Sequence, residues 1–419
     1  MGRPVAIIGG TIWGNRGAEA MLETLIGEIR CDANETEFVV YSYYPRQDAR
    51  LVSDAAISIE SAKPSTLVLS LFPAALWAWL WSCIGIRWPD GLLPAATRKL
   101  RSSSILLDIA GISFSDGREK FLPFNILTLL PAMLMGVPVG KCSQALGPFD
   151  GWLNRLAAKF MLRRCAFVFA RGAESRKHLD DLGGVSVSEA PDLAFAHRPG
   201  YALSRENTER ADDLAAKLDC RAPEAPRLVC VNPSSLVAGE SAGRGIDAVA
   251  ILARLVGDLT GRGCRVLLAP TASRESAPAS ARNNDIPMVR KIAEACKETA
   301  APDSVFAVDW DLNFASLKDF MARADAVVTL RFHGLVAALS LGVPVMTVGW
   351  GHKYEELMAA FGLQDWSLDF SEMPDQPLSD IVLAMIDDGQ RAGNDTTANL
   401  DETRRLGAVQ VETIRRYVN

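Results

Sequence analysis

At 419 residues, 49% of them hydrophobic and 22% charged, the chain is too long for one ordinary core and too apolar for disorder. Its 44 basic and 50 acidic side chains leave a formal charge of −6, which excludes the broad basic footprint of a nucleic-acid binder, so any bound anion is small and held locally. Eight scattered cysteines with no C-x-x-C pair, and four histidines with no ligand spacing, predict free thiols in a reducing cytoplasm and no metal site.

The chain opens on "VAIIGG" (5–10), which reads as a strand rather than a secretory signal. Further apolar runs follow at 37–43, 105–112, 137–146 and 166–171, mostly without strict alternation, as expected for strands covered on both faces. The uncharged run 121–140 reads as a buried helix feeding the strand after Pro138. A polar, proline-containing stretch, 198–226, with a helical piece near 206–218, is the expected linker. The pattern then restarts at 227–234, 264–270, 305–310, 326–332 and 344–350, and helices near 379–390 and 400–417 close the chain. The expectation is α/β: two Rossmann-like doubly wound domains, 1–197 and 227–419, facing a cleft.

The segment "LVLSLFPAALWAWLWSCIGI" (67–86) has no charge over a length that could cross a bilayer. Pro73 falls early in it, Trp77, Trp79 and Trp81 crowd its middle, and both flanks belong to one domain. Two readings stay open. One is an element lying on the inner face of the cytoplasmic membrane through those tryptophans; the other is a hairpin buried on the domain or at a dimer contact.

Two strand ends collect polar groups. After the first strand, a loop with Gly9, Gly10, Gly14 and Gly17 carries Asn15, Arg16 and Glu19 and runs into a helix beginning near Gly17 or Ala18. Glycines there admit a ligand to the backbone, and a helix N-terminus favours an anion, although neither the dinucleotide nor the P-loop spacing is present. In the second half, "AVVTLRF" delivers Arg331 to a strand end and "HGLVAALSLG" starts a helix at or just after His333, with Gly334 in its first turn. One strand later "TVGWGHKYEEL" repeats the arrangement with His352 and Lys353. Cations beside free N–H groups in two adjacent turns suit a carboxylate or phosphate.

The stretches "GNRGAEAML", "DIAGISFSDG" (108–117), "SQALGPF" (143–149), "VFARGAES" (168–175), "PDLAF" (191–195), "NND" (283–285) and "LRFHGLVAALSLGVPVMTV" with "GHKYEEL" resemble the polysaccharide pyruvyl transferase family, in family order across nearly the whole chain. Segment 64–101 matches no family motif and reads as an insertion. The resemblance implies a glycosyltransferase-B-like pair of domains, phosphoenolpyruvate as donor substrate without a further cofactor, and a saccharide acceptor, free or lipid-linked, in exopolysaccharide or envelope glycan synthesis. The first domain would then bind the acceptor and the second the donor. Pyruvate ketal formation needs a proton donor, for which His333 is the candidate. It also needs cations for carboxylate and phosphate, for which Arg331, Lys353 and Arg171 are candidates beside Gly334 and His352. Glu19 is the candidate for orienting or deprotonating the acceptor hydroxyl, with Gly14, Asn15, Arg16, Gly17, Asp108 and Asp116 around it. Two alternatives share the fold: a nucleotide-sugar-dependent glycosyltransferase, using Glu355 or Glu356 for a ribose, and a noncatalytic scaffold for envelope assembly.

Overall fold

The computed structural model describes residues 2–219, 226–278, 281, 283–349 and 351–418; the side chains of residues 352, 374 and 389–398 lie outside that description. Two compact units divide the chain. The first comprises Met1–Trp13, Met21–Leu193 and Arg404–Asn419; the second comprises Gly14–Ala20 and Ala194–Thr403. The later part of the loop after the first strand, with the start of the helix that follows (Gly14–Ala20), therefore clusters with the second unit, a placement its chain position does not suggest.

The first unit holds a parallel sheet of β1 (Val5–Ile8), β2 (Phe38–Ser42), β3 (Ile57–Ser61), β4 (Leu106–Asp108), β5 (Ile112–Ser113), β6 (Val139–Leu146), β7 (Phe167–Ala170) and β8 (Val187–Glu189). The order is β3-β2-β1-β4-β6-β7-β8, with β5 on β6 alone. Every residue of β1 and β2 is buried, which is why these runs lack alternation. The second unit holds β9 (Leu228–Asn232), β10 (Arg265–Leu268), β11 (Val305–Ala307), β12 (Ala326–Thr329), β13 (Val345–Gly349) and β14 (Ser367–Asp369), in the order β11-β10-β9-β12-β13-β14. Its core packs Val229, Val231, Leu268, Val328, Met346 and Val348 under flanking helices. The edge strands β3, β8 and β14 escape the sequence reading because their half-exposed, polar-bearing runs resemble loops.

Segment 64–83 forms one continuous helix rather than a hairpin, with a π-helical turn at Leu67–Leu71 just before Pro73. Proline removes a donor and crowds the preceding turn, and the wider turn absorbs both effects. The helix is long and apolar enough to cross a membrane, with 22% of an 18-residue window buried. Leu67 and Leu71 nevertheless sit in the first unit's core. Trp77 and Trp79 are exposed, whereas Trp81 packs between Trp77 and Trp88, with centroids 6.2 and 5.4 Å away. The expected helix in 121–140 is two short ones, Leu122–Leu127 and Leu130–Leu134, the second with Pro131 in its first turn.

The stretch expected as a linker is packed where it is described: the Thr208–Leu218 helix buries Ala211, Ala215 and Leu218, while residues 220–225 lie outside the described residues. Beside it His197 is 3% exposed, edge-on to Phe314 at 4.9 Å, and its carbonyl accepts from Lys318 Nζ at 2.8 Å. Burial, then the Lys318 charge, pushes the imidazole pKa from 6.5 down to about 3. The unfolded chain takes up that proton first, so this residue's contribution is whole above pH 6.5 and is lost as pH falls toward 3. Between pH 7 and pH 5 the second unit should lose about 2 kcal/mol through this group. Denaturant unfolding at both pH values should show His197→Gln losing correspondingly less than wild type; an equal loss in both would clear the histidine of this role.

Candidate functional site

In the second sheet the strand order reverses between β9 and β12, and open α/β sheets bind ligands beyond the carboxyl ends at such a point. A buried polar network marks it. Thr271 and Thr329 donate to Asn232 Oδ1 at 2.7 and 2.9 Å, and Asn232 Nδ2 donates to the Ala269 carbonyl. Helix Phe332–Leu341 starts on this network, because a Cβ on Gly334 would strike Asn232 Oδ1 and Thr329 Oγ1. Glycine lets the helix terminus and its dipole settle against the strand end.

Asp285 organises the surrounding loops. Wholly buried, it accepts the N–H groups of Ser235 at 2.8 Å and Ala272 at 2.9 Å and an Nη2 hydrogen bond from Arg331. Arg331 also donates to Asn283 Oδ1 at 2.6 Å and Ser235 Oγ at 3.3 Å. Among the described residues its Nε–H, also buried, meets no acceptor. Three helices begin around this pair: Ser235–Ala242, capped by Ser234, then Ile286–Ala295 and Phe332–Leu341.

The Gly14–Ala20 segment lies on the same edge. Arg16 N–H donates to the Thr271 carbonyl at 3.0 Å, and a Cβ on Gly17 would overlap the imidazole of His333, so glycine is what admits the ring. His333, partly exposed, also meets Phe332 edge-on at 5.5 Å. Lys353 Nζ sits 5.1 Å from the Phe332 ring centroid and 5.2 Å from that of Tyr354, which carries this cation toward the helix start shared by Arg331 and His333. Tyr354 stays neutral, its pKa pushed up to about 12 by burial. His352 is the first residue of the His352–Ala360 helix; its side chain lies outside the described residues.

Other candidates have structural duties. Glu19 is wholly buried, pairs with Arg16 at 2.9 Å and accepts the Phe314 N–H at 3.0 Å, so it fastens the segment rather than meeting a substrate hydroxyl. Asn15 Oδ1 accepts from Ala18 N–H at 3.4 Å, in the first helical turn, and Gly14 abuts the Arg274 side chain. In the first unit Asp108 is tied to Lys141 at 2.7 Å, both buried, and Lys141 also donates to Ser113. Asp116 accepts from Gly151 N–H at 2.9 Å and Asn154 Nδ2 at 2.7 Å, at the start of helix Trp152–Leu162. Arg171 pairs with the buried Asp192 at 2.7 Å, which meets its charge within the first unit. Asp108, Asp116 and Arg171 are thus engaged locally.

Sequence reasoning misses Asn232, Thr271 and Thr329, although "VNPSS" (231–235), at the end of the first apolar run of the second half, carried the cue of a polar residue closing an apolar strand. It misses Lys141 because a lysine inside a strand reads as an edge position rather than as a buried counterion.

Two parallel, doubly wound sheets, each with an order reversal, define the glycosyltransferase-B class of fold. Solved structures share it at low identity. The UDP-GlcNAc 2-epimerase from Neisseria meningitidis bound to UDP-GlcNAc aligns over 99% of this chain and 100% of that chain, with TM-score 0.60 and 13% identity. An α,α-trehalose-phosphate synthase from Burkholderia vietnamiensis aligns over 99% and 98%, with TM-score 0.54 and 12% identity. The polysaccharide pyruvyl transferase family matches residues 15–352, and the chain belongs to that family. It is also similar to the amylovoran biosynthesis protein AmsJ of Erwinia amylovora, 20% identical over 425 residues covering 96% of this chain and 97% of that protein.

The Gly17 packing is testable. In an open helix Gly→Ala gains up to ~1 kcal/mol, whereas overpacking costs about 1–3 kcal/mol. Gly17→Ala should therefore lower stability on urea unfolding and shift the His333 imidazole resonances. A net gain with unmoved resonances would show that the ring is not held by this glycine.

Proposed function

We propose that this transferase moves the enolpyruvyl-derived group of phosphoenolpyruvate onto a saccharide as a pyruvate ketal. The observation that carries the reading is the convergence of Arg331, His333 and Lys353 on one helix N-terminus at the order reversal of the second sheet, the first two inside the family-matched span and Lys353 one residue past its end. The donor's carboxylate and phosphate suit Arg331, held by Asp285 and Asn283, together with Lys353 and the dipole of the helix start. His333 supplies the proton. Protonation of the donor methylene makes a methyl group and an oxocarbenium-like centre at C2, to which one sugar hydroxyl adds with loss of its proton. The C–O bond to phosphate then breaks with its electron pair, and a second hydroxyl closes the ketal, releasing the remaining proton. Each anionic stage is stabilised by the fixed cations and the helix dipole.

In this reading the enzyme works on the cytoplasmic side, against the membrane through the tryptophan-bearing helix and on a lipid-linked acceptor. A nucleotide-sugar donor is the competing reading, because solved neighbours of this fold carry such ligands, among them the epimerase bound to UDP-GlcNAc. Ligand-induced stabilisation separates the two. Phosphoenolpyruvate at 100 times its dissociation constant should stabilise the fold by about 2.7 kcal/mol. A rise in melting temperature with UDP- or GDP-sugars and none with phosphoenolpyruvate would reject pyruvyl transfer.

Residue roles separate by kinetics. His333→Gln should cut single-turnover pyruvyl transfer by ~10² to 10⁴ while leaving donor affinity within a few-fold. Arg331→Ala should weaken equilibrium donor binding at least tenfold, and Arg331→Lys should recover only part of it, because a point charge cannot reproduce the fork. Near-wild-type turnover in the first variant would remove His333 as the acid. Unchanged donor binding in the second would move the anion site away from this strand end.

A further inference from the structure

The large apolar side chains left exposed among the described residues, from Tyr43 to Val409, all belong to the first unit, and none belongs to the second. Part of that asymmetry is the tryptophan-bearing helix; another part is the helix Trp152–Leu162. Its inner face buries Ala158, Met161 and Leu162 in the first unit's core. Its outer face carries Trp152, Leu156 and Phe160, at i, i+4 and i+8, exposed by 75%, 61% and 49%. A stripe at that spacing is one continuous helix face.

The charge on this helix is one-signed. Arg155, Lys159, Arg163 and Arg164 occur in 152–164 with no aspartate or glutamate. Arg155 and Arg163 donate to backbone carbonyls, of Asp181 and Gly184, and Arg164 lies 3.7 Å over the Phe160 ring. Backbone partners leave the positive charge standing. The wider span 63–164 holds twelve lysines and arginines against five acids, in a chain with an acidic excess, so the basic character is local.

Both helices belong to one layer. The tryptophan helix packs on Leu130–Leu134, which packs on Leu122–Leu127, which packs on Trp152–Leu162. Leu71, Ala132, Leu122 and Ala158 from these four elements meet in one core cluster on one face of the sheet. The exposed stripes are therefore on the outer side of a single helical layer.

We propose that helix Trp152–Leu162 is a second membrane-contact element, and that with the tryptophan helix it seats the first unit on an anionic bilayer surface. Aromatic and aliphatic side chains at headgroup depth, with lysines and arginines beside them, match an interfacial amphipathic helix. A second copy of this chain fits less well. A two-fold contact is self-complementary, so it would set one basic stripe against another. The proposal extends the membrane contact proposed for the tryptophan helix but does not depend on donor chemistry, and each helix is tested by its own variants.

The experiment is co-sedimentation of the full chain with phosphatidylcholine vesicles and with vesicles containing 30% phosphatidylglycerol. Wild type should bind the anionic vesicles at least tenfold more strongly, an advantage lost in high salt. The variant Trp152→Ser/Leu156→Ser/Phe160→Ser should reduce anionic-vesicle binding at least tenfold. The variant Lys159→Gln/Arg163→Gln/Arg164→Gln should bring it down to the neutral-vesicle level. Trp77→Ser/Trp79→Ser reports separately on the other helix. Wild-type sedimentation by both Trp152–Leu162 variants, with unchanged melting temperatures, would overturn the proposal. So would a wild-type dimer that the serine variant dissociates while neither protein binds vesicles.

Discussion

The site depends on one buried carboxylate. Asp285 is shut off from water, and an ionised carboxylate there is tolerable only if its acceptor positions are filled and a cation answers its charge. Two loop N–H groups and the Arg331 guanidinium meet that demand. The same bonds that satisfy Asp285 fix the loops after β9, β10 and β12 and set Arg331 in one orientation before any ligand arrives. Its remaining polar edge is thus presented by a rigid frame rather than by a flexible surface side chain, which is the kind of preorganisation that makes electrostatic stabilisation effective.

The first unit has the same strand-order reversal, between β1 and β4, and uses it differently. There the carboxyl ends are filled by Asp108, Lys141, Ser113 and Gln144: Lys141 Nζ reaches both Asp108 and Ser113, and Gln144 Nε2 donates to the Asp108 carbonyl at 2.7 Å. A buried pair whose polar partners are also supplied is a structural fastening, costly to break from one side. The same topology thus carries two different polar constellations at its strand ends. What distinguishes the second is a helix start with a half-exposed histidine and a second cation one strand away.

Much of the fold was legible because buried parallel strands leave continuous apolar runs, and those runs match β1, β2, β6, β7, β9, β10, β12 and β13 to within a few residues. The helix starts at Arg331–His333 and His352–Lys353 were legible for a related reason: polar residues interrupt an apolar strand at the point where a helical pattern begins. Partnerships across the chain were not legible. Glu19 and Phe314 are 295 positions apart, as the hydrogen bond between them spans, and nothing local to Glu19 marks it as a fastener rather than a base. Arg171 and Asp108 likewise carry the right chemistry at strand ends, and only their buried partners, Asp192 and Lys141, reveal that the charges are already met.

Two glycines carry the most consequential information that periodicity cannot show. Gly17 and Gly334 both lie in ordinary helical turns, where glycine is otherwise a weak choice, so the backbone conformation does not call for them. Space does. At Gly334 the missing Cβ is room for the Asn232–Thr329 network, which lets the helix terminus approach the strand end; at Gly17 it is room for the His333 ring. One absence brings the dipole to the site and the other fixes the imidazole beside it. The position of His333 beside the helix start is therefore set by side chains that are not there, as much as by those that are.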